Sequence, residues 1–438
     1  MLLNIEKLIY GGDGLARLPA DARGRGKAVF VPFVLAGEKV EAALTEEKPG
    51  FARAQATAII EPSPHRVPPP CPHFGRCGGC HYQQTTYAQQ LEIKKDILRE
   101  NLRRIAKLEL KHEIHVHPSP PWNYRNRSRF QLRTRPDFAA GYFKFSSHEL
   151  LPVEECPISS PLINRALAAL WQAGRAGKSV EGVREAEFFA NSDDSRILVE
   201  FLCAPEARRA AVRAWAEELC ASMPQIVGVT AFREPQKGVQ EPLVAVGASE
   251  LTYQTKMAAY RVSAGAFFQT NRFLIDELVD IVTRGRSGEL AFDLYAGVGL
   301  FSTALASSIR HIVSVESSQT AVGDLQYNLS LSAQVFHTAA DQYLAQRGDS
   351  GRAGNRAVLL HTPDLVVVDP PRGGLGDRVA RLLAELDAPR VSYVSCDPAT
   401  LARDLLPLQA AGYRVEEAHL VDLFPQTYHL ESVLHLVR

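Results

Sequence analysis

The stretch ELAFDLYAGVGLFS, residues 289–302, decides how the C-terminal part of this chain is read. An apolar run ends at Leu294, a turn carrying Gly297 and Gly299 follows, and a helix begins. Glycines there let a backbone come close to a ligand. Working outward, the runs HIVSVES, DLVVVDPP, RVSYVSCDP and LESVLHLVR are further buried-strand candidates, with helical stretches between most of them. That alternation predicts an α/β, Rossmann-like doubly wound sheet with its ligands at the carboxyl ends of the strands. Glu316 closes the strand after the turn, where an acid can accept from both hydroxyls of a ribose. Asp293 is placed either to brace the turn or to contact the ligand. The third glycine of the dinucleotide fingerprint is missing, with Ser302 at that offset, which counts against a nicotinamide cofactor.

Two further strand ends carry chemistry. VSYVSCDPAT (391–400) puts Cys396 where a strand stops and a helix starts, with Pro398 suited to a first helical position. Helix N-terminal dipoles favour a thiolate there, although a small core cysteine fits the same pattern. DPPRGGL (369–375) brings Asp369 and Arg372 to the same sheet edge, a carboxylate to order a ligand and a cation to meet phosphate. FPQTYHLESVLHL (424–436) opens the final strand at Glu431, either a proton acceptor or an edge-strand surface acid.

The N-terminal part differs. Residues 1–60 read as short alternating strands with Gly-rich turns, the pattern of a small β-barrel. Six prolines in EPSPHRVPPPCP (61–72) mark a boundary. A helix is expected over about 86–110, with Leu91, Leu98, Leu102 and Ile105 on one face and free to pack on the C-terminal unit. Residues 120–255 read as mixed α+β and include the basic stretch YRNRSRFQLRTR (124–135). Charge sums to zero over the chain, but residues 1–150 hold 23 Lys/Arg against 15 Asp/Glu, which suits a polyanion. Cys71, Cys77 and Cys80 sit in a Pro- and Gly-rich loop, with Cys156 as the natural fourth thiol. Four thiolates suit zinc or an iron–sulfur cluster, and spacing does not separate them. No apolar run is long enough to span a membrane, and the N-terminus lacks a secretory pattern. The expected setting is therefore a reducing cytoplasm.

Taken in order, FFQTN (267–271), DLYAGVGLFS, DPPRGGL, SCDPATLARD (395–404) and FPQTYHLES resemble the RNA uracil-5-methyltransferases that act on 23S ribosomal RNA and tRNA. The N-terminal part resembles members with a TRAM domain, a small RNA-binding barrel, followed by an iron–sulfur motif. The resemblance implies S-adenosylmethionine as methyl donor, contacted by Gln269, Tyr295, Glu316, Asp341 and Asp369. It makes Cys396 the nucleophile, Glu431 the general base and Phe267 the aromatic neighbour of the target uracil, with Arg372 on the substrate side. It favours a [4Fe-4S] cluster on Cys71, Cys77, Cys80 and Cys156. The divisions expected are a TRAM barrel over 1–62, a central α+β unit with the cysteine motif over 63–262 and a catalytic unit over 263–438. The RNA expected is 23S ribosomal RNA ahead of tRNA, acted on by a monomer. Many members have Asn after the nucleophile, and Asp397 here would raise the thiol pKa unless protonated or turned away.

Three rivals stand beside this reading. A cytosine-5-methyltransferase would carry a thiol in the DPPR segment, and none is there. An RNA-binding protein with an inactive methyltransferase fold would not need Cys396, Glu431 and the turn together. An enzyme acting on protein or small molecules would not need the basic barrel.

Overall fold

The computed structural model describes residues 1–18, 26–235, 241–329, 333–348 and 361–438. Alternation in the N-terminal stretch builds a six-stranded sheet, ordered Leu2–Asn4, Lys39–Glu47, Phe51–Glu61, Ala28–Val31, Gly14–Arg17 and Lys7–Leu8. Its inward residues, among them Ala16, Val29, Val31, Val40 and Ala52, form a small core of their own. The central part is a seven-stranded sheet from Arg127–Arg133 to Pro242–Gly247. Helices Pro161–Arg175 and Arg209–Ser222 share its core through Leu162, Trp171 and Trp215.

The site is positioned by an eight-stranded sheet. Its order is Ala333–His337, Ile309–Glu316, Gly288–Leu294, Leu365–Val368, Arg390–Ser395, Glu431–Val437, Arg414–Val421 and His115–His117. The first five strands run parallel, and Glu431–Val437 lies antiparallel between its two neighbours. Leu294, Glu316, Val368 and Ser395 therefore end at one edge, where Glu431 begins.

The predicted helix is shorter, Tyr87–Arg104, and its face differs. Ile93, Ile97, Leu98 and Leu102 are buried in one cluster with Leu401, Leu405 and Leu420, whereas Leu91 is only partly covered. The helix stops because Lys107 takes a left-handed φ of 54° and Leu108 N donates back to Leu102 O at 3.1 Å. Lys94 leaves this face to meet Asp422 at 2.6 Å, both fully buried. The helix and the edge strand His115–His117 thus lie on the catalytic sheet, although the chain enters the central sheet directly after them.

The basic stretch 124–135 faces inward more than its composition suggests. Arg127 is buried against Glu187 at 3.1 Å and Glu200 at 3.5 Å, and Arg129 meets Glu187 at 2.6 Å. Much of its charge is neutralised within the protein.

Candidate active site and cysteine pocket

The glycine turn follows from local sequence. Gly299 has φ +95° and opens helix Leu300–Leu305; a Cβ there would stand 2.8 Å from Leu325 Cδ1. Ser302, at the missing-glycine offset, donates its backbone N–H to Asp293 Oδ2 at 3.0 Å and its hydroxyl to the same oxygen. Asp293 therefore braces strand to helix. Glu316 Oε2 accepts from Gly297 N at 2.9 Å, and Oε1 accepts from Ser317 and Ser318 N at 2.8 and 2.7 Å. Tyr295, Glu316 and Asp341 line one cavity of about 420 Å³, closed on the far side by Leu375 to Val379. Asp341 reaches Arg378 there at 3.3 Å.

Gln269 and Asp369 lie apart from that lining and pair with each other, Nε2 to Oδ2, at 3.3 Å. The FFQTN segment is held from behind: Asn126 donates to Gln269 O at 3.1 Å, and buried Asn271 donates to Ser119 Oγ and Leu423 O. Phe268 packs into the core against Tyr253, while Phe267 stays 62 % exposed. Phe267 is thus the ring available to a partner.

Ser395 and Ser432 are the last register partners of their ladder, so Cys396 follows one strand and Glu431 opens its antiparallel neighbour at the same sheet edge. Neighbouring backbones in such a ladder stand about 5 Å apart. Burial pushes the Cys396 thiol up to about 12, helped by the charges of Glu431 and Asp369 and opposed by Arg372. Burial, then Asp369, likewise holds Glu431 well above the usual carboxylate range. Asp369 is lifted to about 7 by burial and by Asp293. These acids resist ionising together, and Asp369 couples the glycine turn to Cys396. Asp397 is turned to cap helix Pro398–Ala410, its Oδ1 accepting from Ala399 and Thr400 N at 2.9 and 3.0 Å. Its charge acts on the thiol less than those of Glu431 and Asp369. Arg372 is exposed, 3.4 Å from His429 Nε2.

Sequence reasoning missed three contributors. Tyr10, from the N-terminal sheet, donates its hydroxyl to Cys396 O at 3.0 Å and meets the Tyr428 ring edge-on at 5.5 Å. Gln426, at a left-handed φ of 69°, accepts through its carbonyl from His81 and Tyr82 N at 2.9 and 3.0 Å. Asp404 holds the 372–376 loop by accepting from Leu375 N at 2.6 Å. An aromatic next to a Gly-Gly turn was the only signal for Tyr10, and it says nothing about a partner 386 residues away.

The four cysteines come together in one pocket with Tyr142, Val153, Ile158 and Arg125. Burial raises the thiols of Cys71, Cys77 and Cys80, that of Cys77 to about 11 and that of Cys80 further, and Cys156 adds to each. Arg125 is buried beside them with its Nε lacking any hydrogen-bond partner. Four sulfurs and an unsatisfied guanidinium fit an anionic metal–thiolate group, either a zinc ion or an iron–sulfur cluster. The cysteine loop also reaches the catalytic edge, since His81 and Tyr82 directly follow Cys80 and hold Gln426.

Over residues 86–438 the chain matches the family described as tRNA (uracil-5-)-methyltransferase, and over residues 1–57 the TRAM domain. It is 31 % identical to an uncharacterized RNA methyltransferase of Aquifex aeolicus, covering 98 % of this chain and 97 % of that one. With an uncharacterized RNA methyltransferase of Streptomyces avermitilis the identity is 32 %, covering 98 % and 96 %. Among solved structures it resembles Pyrococcus abyssi tRNA (uracil-54, C5)-methyltransferase in complex with S-adenosyl-L-homocysteine. The TM-score is 0.74 at 23 % identity, with both chains fully covered, a likeness of fold.

Proposed function

The chain belongs to the RNA uracil-5-methyltransferase family that carries a TRAM domain, and we propose that it methylates C5 of one uridine in 23S ribosomal RNA through a covalent adduct on Cys396. It is an S-adenosylmethionine-dependent RNA (uracil-C5) methyltransferase. The observation that carries the residue roles is the register that sets Cys396 beside Glu431, with Asp369 acting on both.

When bound, S-adenosylmethionine supplies an electrophilic methyl group and a positive charge that opposes the carboxylates. Tyr295, Glu316 and Asp341 would hold it in the cavity they line, and Gln269 with Asp369 would orient it towards the base. Cys396 sulfur adds to uracil C6 as the thiolate. Electron density moves to C5, which accepts the methyl group. Glu431 then takes the C5 proton, the S–C6 bond breaks, and the thiolate leaves. The uridine must leave its stack, which costs a few kcal/mol. Exposed Phe267 offers a stacking face against that cost, and exposed Arg372 a phosphate contact.

Cys71, Cys77, Cys80 and Cys156 would hold a [4Fe-4S] cluster. Its chemistry there would be a permanent cross-link between the cysteine loop and the strand region before Ile158. That loop grips Gln426, five residues before the base, so we assign the four cysteines a positioning role.

A second reading, tRNA as substrate, is favoured by the family description and by what the Pyrococcus enzyme is said to act on. The test is expression in cells lacking 5-methyluridine, followed by mapping of the new nucleotide in total RNA. New signal confined to tRNA would overturn the ribosomal assignment. No new signal in any RNA would overturn the activity itself.

A further inference from the structure

Away from both pockets, the outer edge of the catalytic sheet gathers imidazoles. His115 and His117 alternate along the three-residue edge strand and so share a face. His115 stands opposite His419 in the register. The rings of His115 and His117 lie 5.1 and 5.2 Å from that of His419. Two carboxylates complete the group. His117 Nδ1 is 2.8 Å from Glu277 Oε1, on helix Ile275–Thr283, and His419 Nε2 is 3.3 Å from Glu417 Oε2. His117 Nε2 and His419 Nδ1 then face each other at 3.0 Å.

Proton counting makes this arrangement unusual. An ionised carboxylate only accepts, so His117 Nδ1 and His419 Nε2 each carry a hydrogen. The contact between the rings needs a third, whereas two neutral imidazoles own two. The chain of four groups therefore holds an extra proton or opposes two lone pairs. With the shared proton gone, both lone pairs converge while each ring is held from behind by a carboxylate. That second shell is how proteins present histidine to a metal. Two nitrogens on one tetrahedral zinc, each at about 2.0–2.1 Å, stand roughly 3.3 Å apart, so only a small opening is required.

We propose that His117 and His419 bind a divalent transition-metal ion that prefers imidazole, zinc foremost, with Glu277 and Glu417 as the orienting acceptors. Water would fill the remaining positions, with exposed His115 lying beside the His419 ring. Among the described residues, the group of three whose ligand atoms lie within 4.8 Å of one another is Glu417, His419 and His435. His435 is committed elsewhere, though, with Nδ1 on Ser392 Oγ and Nε2 on Ile281 O, each at 3.0 Å. The charged neighbours on the packed elements are Glu277, Glu416, Glu417 and Arg286, the last 3.9 Å from Glu416. The ion would clamp the short edge strand to Arg414–Val421.

The test adds zinc to the full-length protein with its cysteine pocket already loaded. One further equivalent is expected, with a nitrogen and oxygen shell at about 2.0–2.1 Å and no sulfur at about 2.3 Å by X-ray absorption. Calorimetry in buffers of different ionisation enthalpy should show close to one proton released. His117→Gln and His419→Gln should each weaken binding at least about tenfold, with circular dichroism confirming the fold. No further equivalent means a shared proton only and overturns the proposal. So does a sulfur shell, or undiminished affinity in both variants.

Discussion

The cysteine pocket and the nucleophile's pocket both bury sulfur, and both raise its pKa, yet what surrounds the sulfur differs. Cys71, Cys77, Cys80 and Cys156 face one another over a buried guanidinium. Cys396 faces Glu431 and Asp369, and the exposed Arg372 opposes them. The first pocket calls for a resident cation that four thiolates can share. The second calls for a positive charge that comes and goes, because a permanent one would hold the leaving sulfur ionised and keep the base from taking a proton. One perturbation would thus serve the proposed scaffold in one place and the proposed nucleophile in the other.

Substitutions can break the comparison, starting with the largest effect. Cys396→Ala should lower methyl transfer by roughly a thousandfold or more while leaving metal content and melting temperature unchanged. Lost metal in that variant would show that the two pockets are not independent. Glu431→Gln should lower turnover about 100- to 1,000-fold and accumulate an RNA–protein adduct on denaturing gels, because addition proceeds and proton removal does not. The Cys396 thiol should also ionise at lower pH, since Glu431 is the strongest charge raising it. Cys80→Ser should deplete the metal and cost on the order of 3 kcal/mol in denaturant unfolding, with residual activity falling less than in either variant above.

A fourth test concerns burial without sulfur. Asp293 is fully buried and raised to about 7 by desolvation, from 3.8. Its protonated form is the stable one. The stability it contributes is complete below about pH 4 and is lost as pH rises through 7. Asp293→Asn keeps the acceptor for Ser302 and cannot ionise. It should be more stable than the parent by roughly 2 kcal/mol at pH 8, and the gap should narrow below pH 7 and close only near pH 4 in thermal melts. The smallest effect is reserved for Tyr10→Phe. Loss of one hydrogen bond to Cys396 O should lower kcat about three- to tenfold and leave RNA affinity nearly unchanged.

The sequence made the glycine turn, the parallel strands and the four-cysteine cluster legible, because each is local: an apolar run, a breaker and a spacing. It did not show that His115–His117 closes the catalytic sheet, since three residues carry too little pattern and the partner lies some 300 positions on. It overstated the basic stretch, because composition does not reveal that Glu187 and Glu200 stand opposite Arg127. The helix end at Arg104 escaped because periodicity continues through Ile105 while a left-handed lysine stops the backbone. At the site, Ser302 looked like a departure from a fingerprint and proved to be the strap on Asp293. The pairing of Cys396 with Glu431 needed the antiparallel placement of the last strand, which no single motif encodes.

The buried ion pair between Lys94 and Asp422 carries a consequence for assembly. It ties together positions 328 residues apart, so the seven-stranded unit is an excursion out of the catalytic body. Both mouths of that excursion meet where Asn126 touches Tyr253 and the carbonyl of Gln269. Closing so long a loop is entropically slow unless its contents have already folded and drawn the mouths together. In the folded chain the central unit brings the two mouths together, so its own folding shortens the loop that the catalytic body has to close.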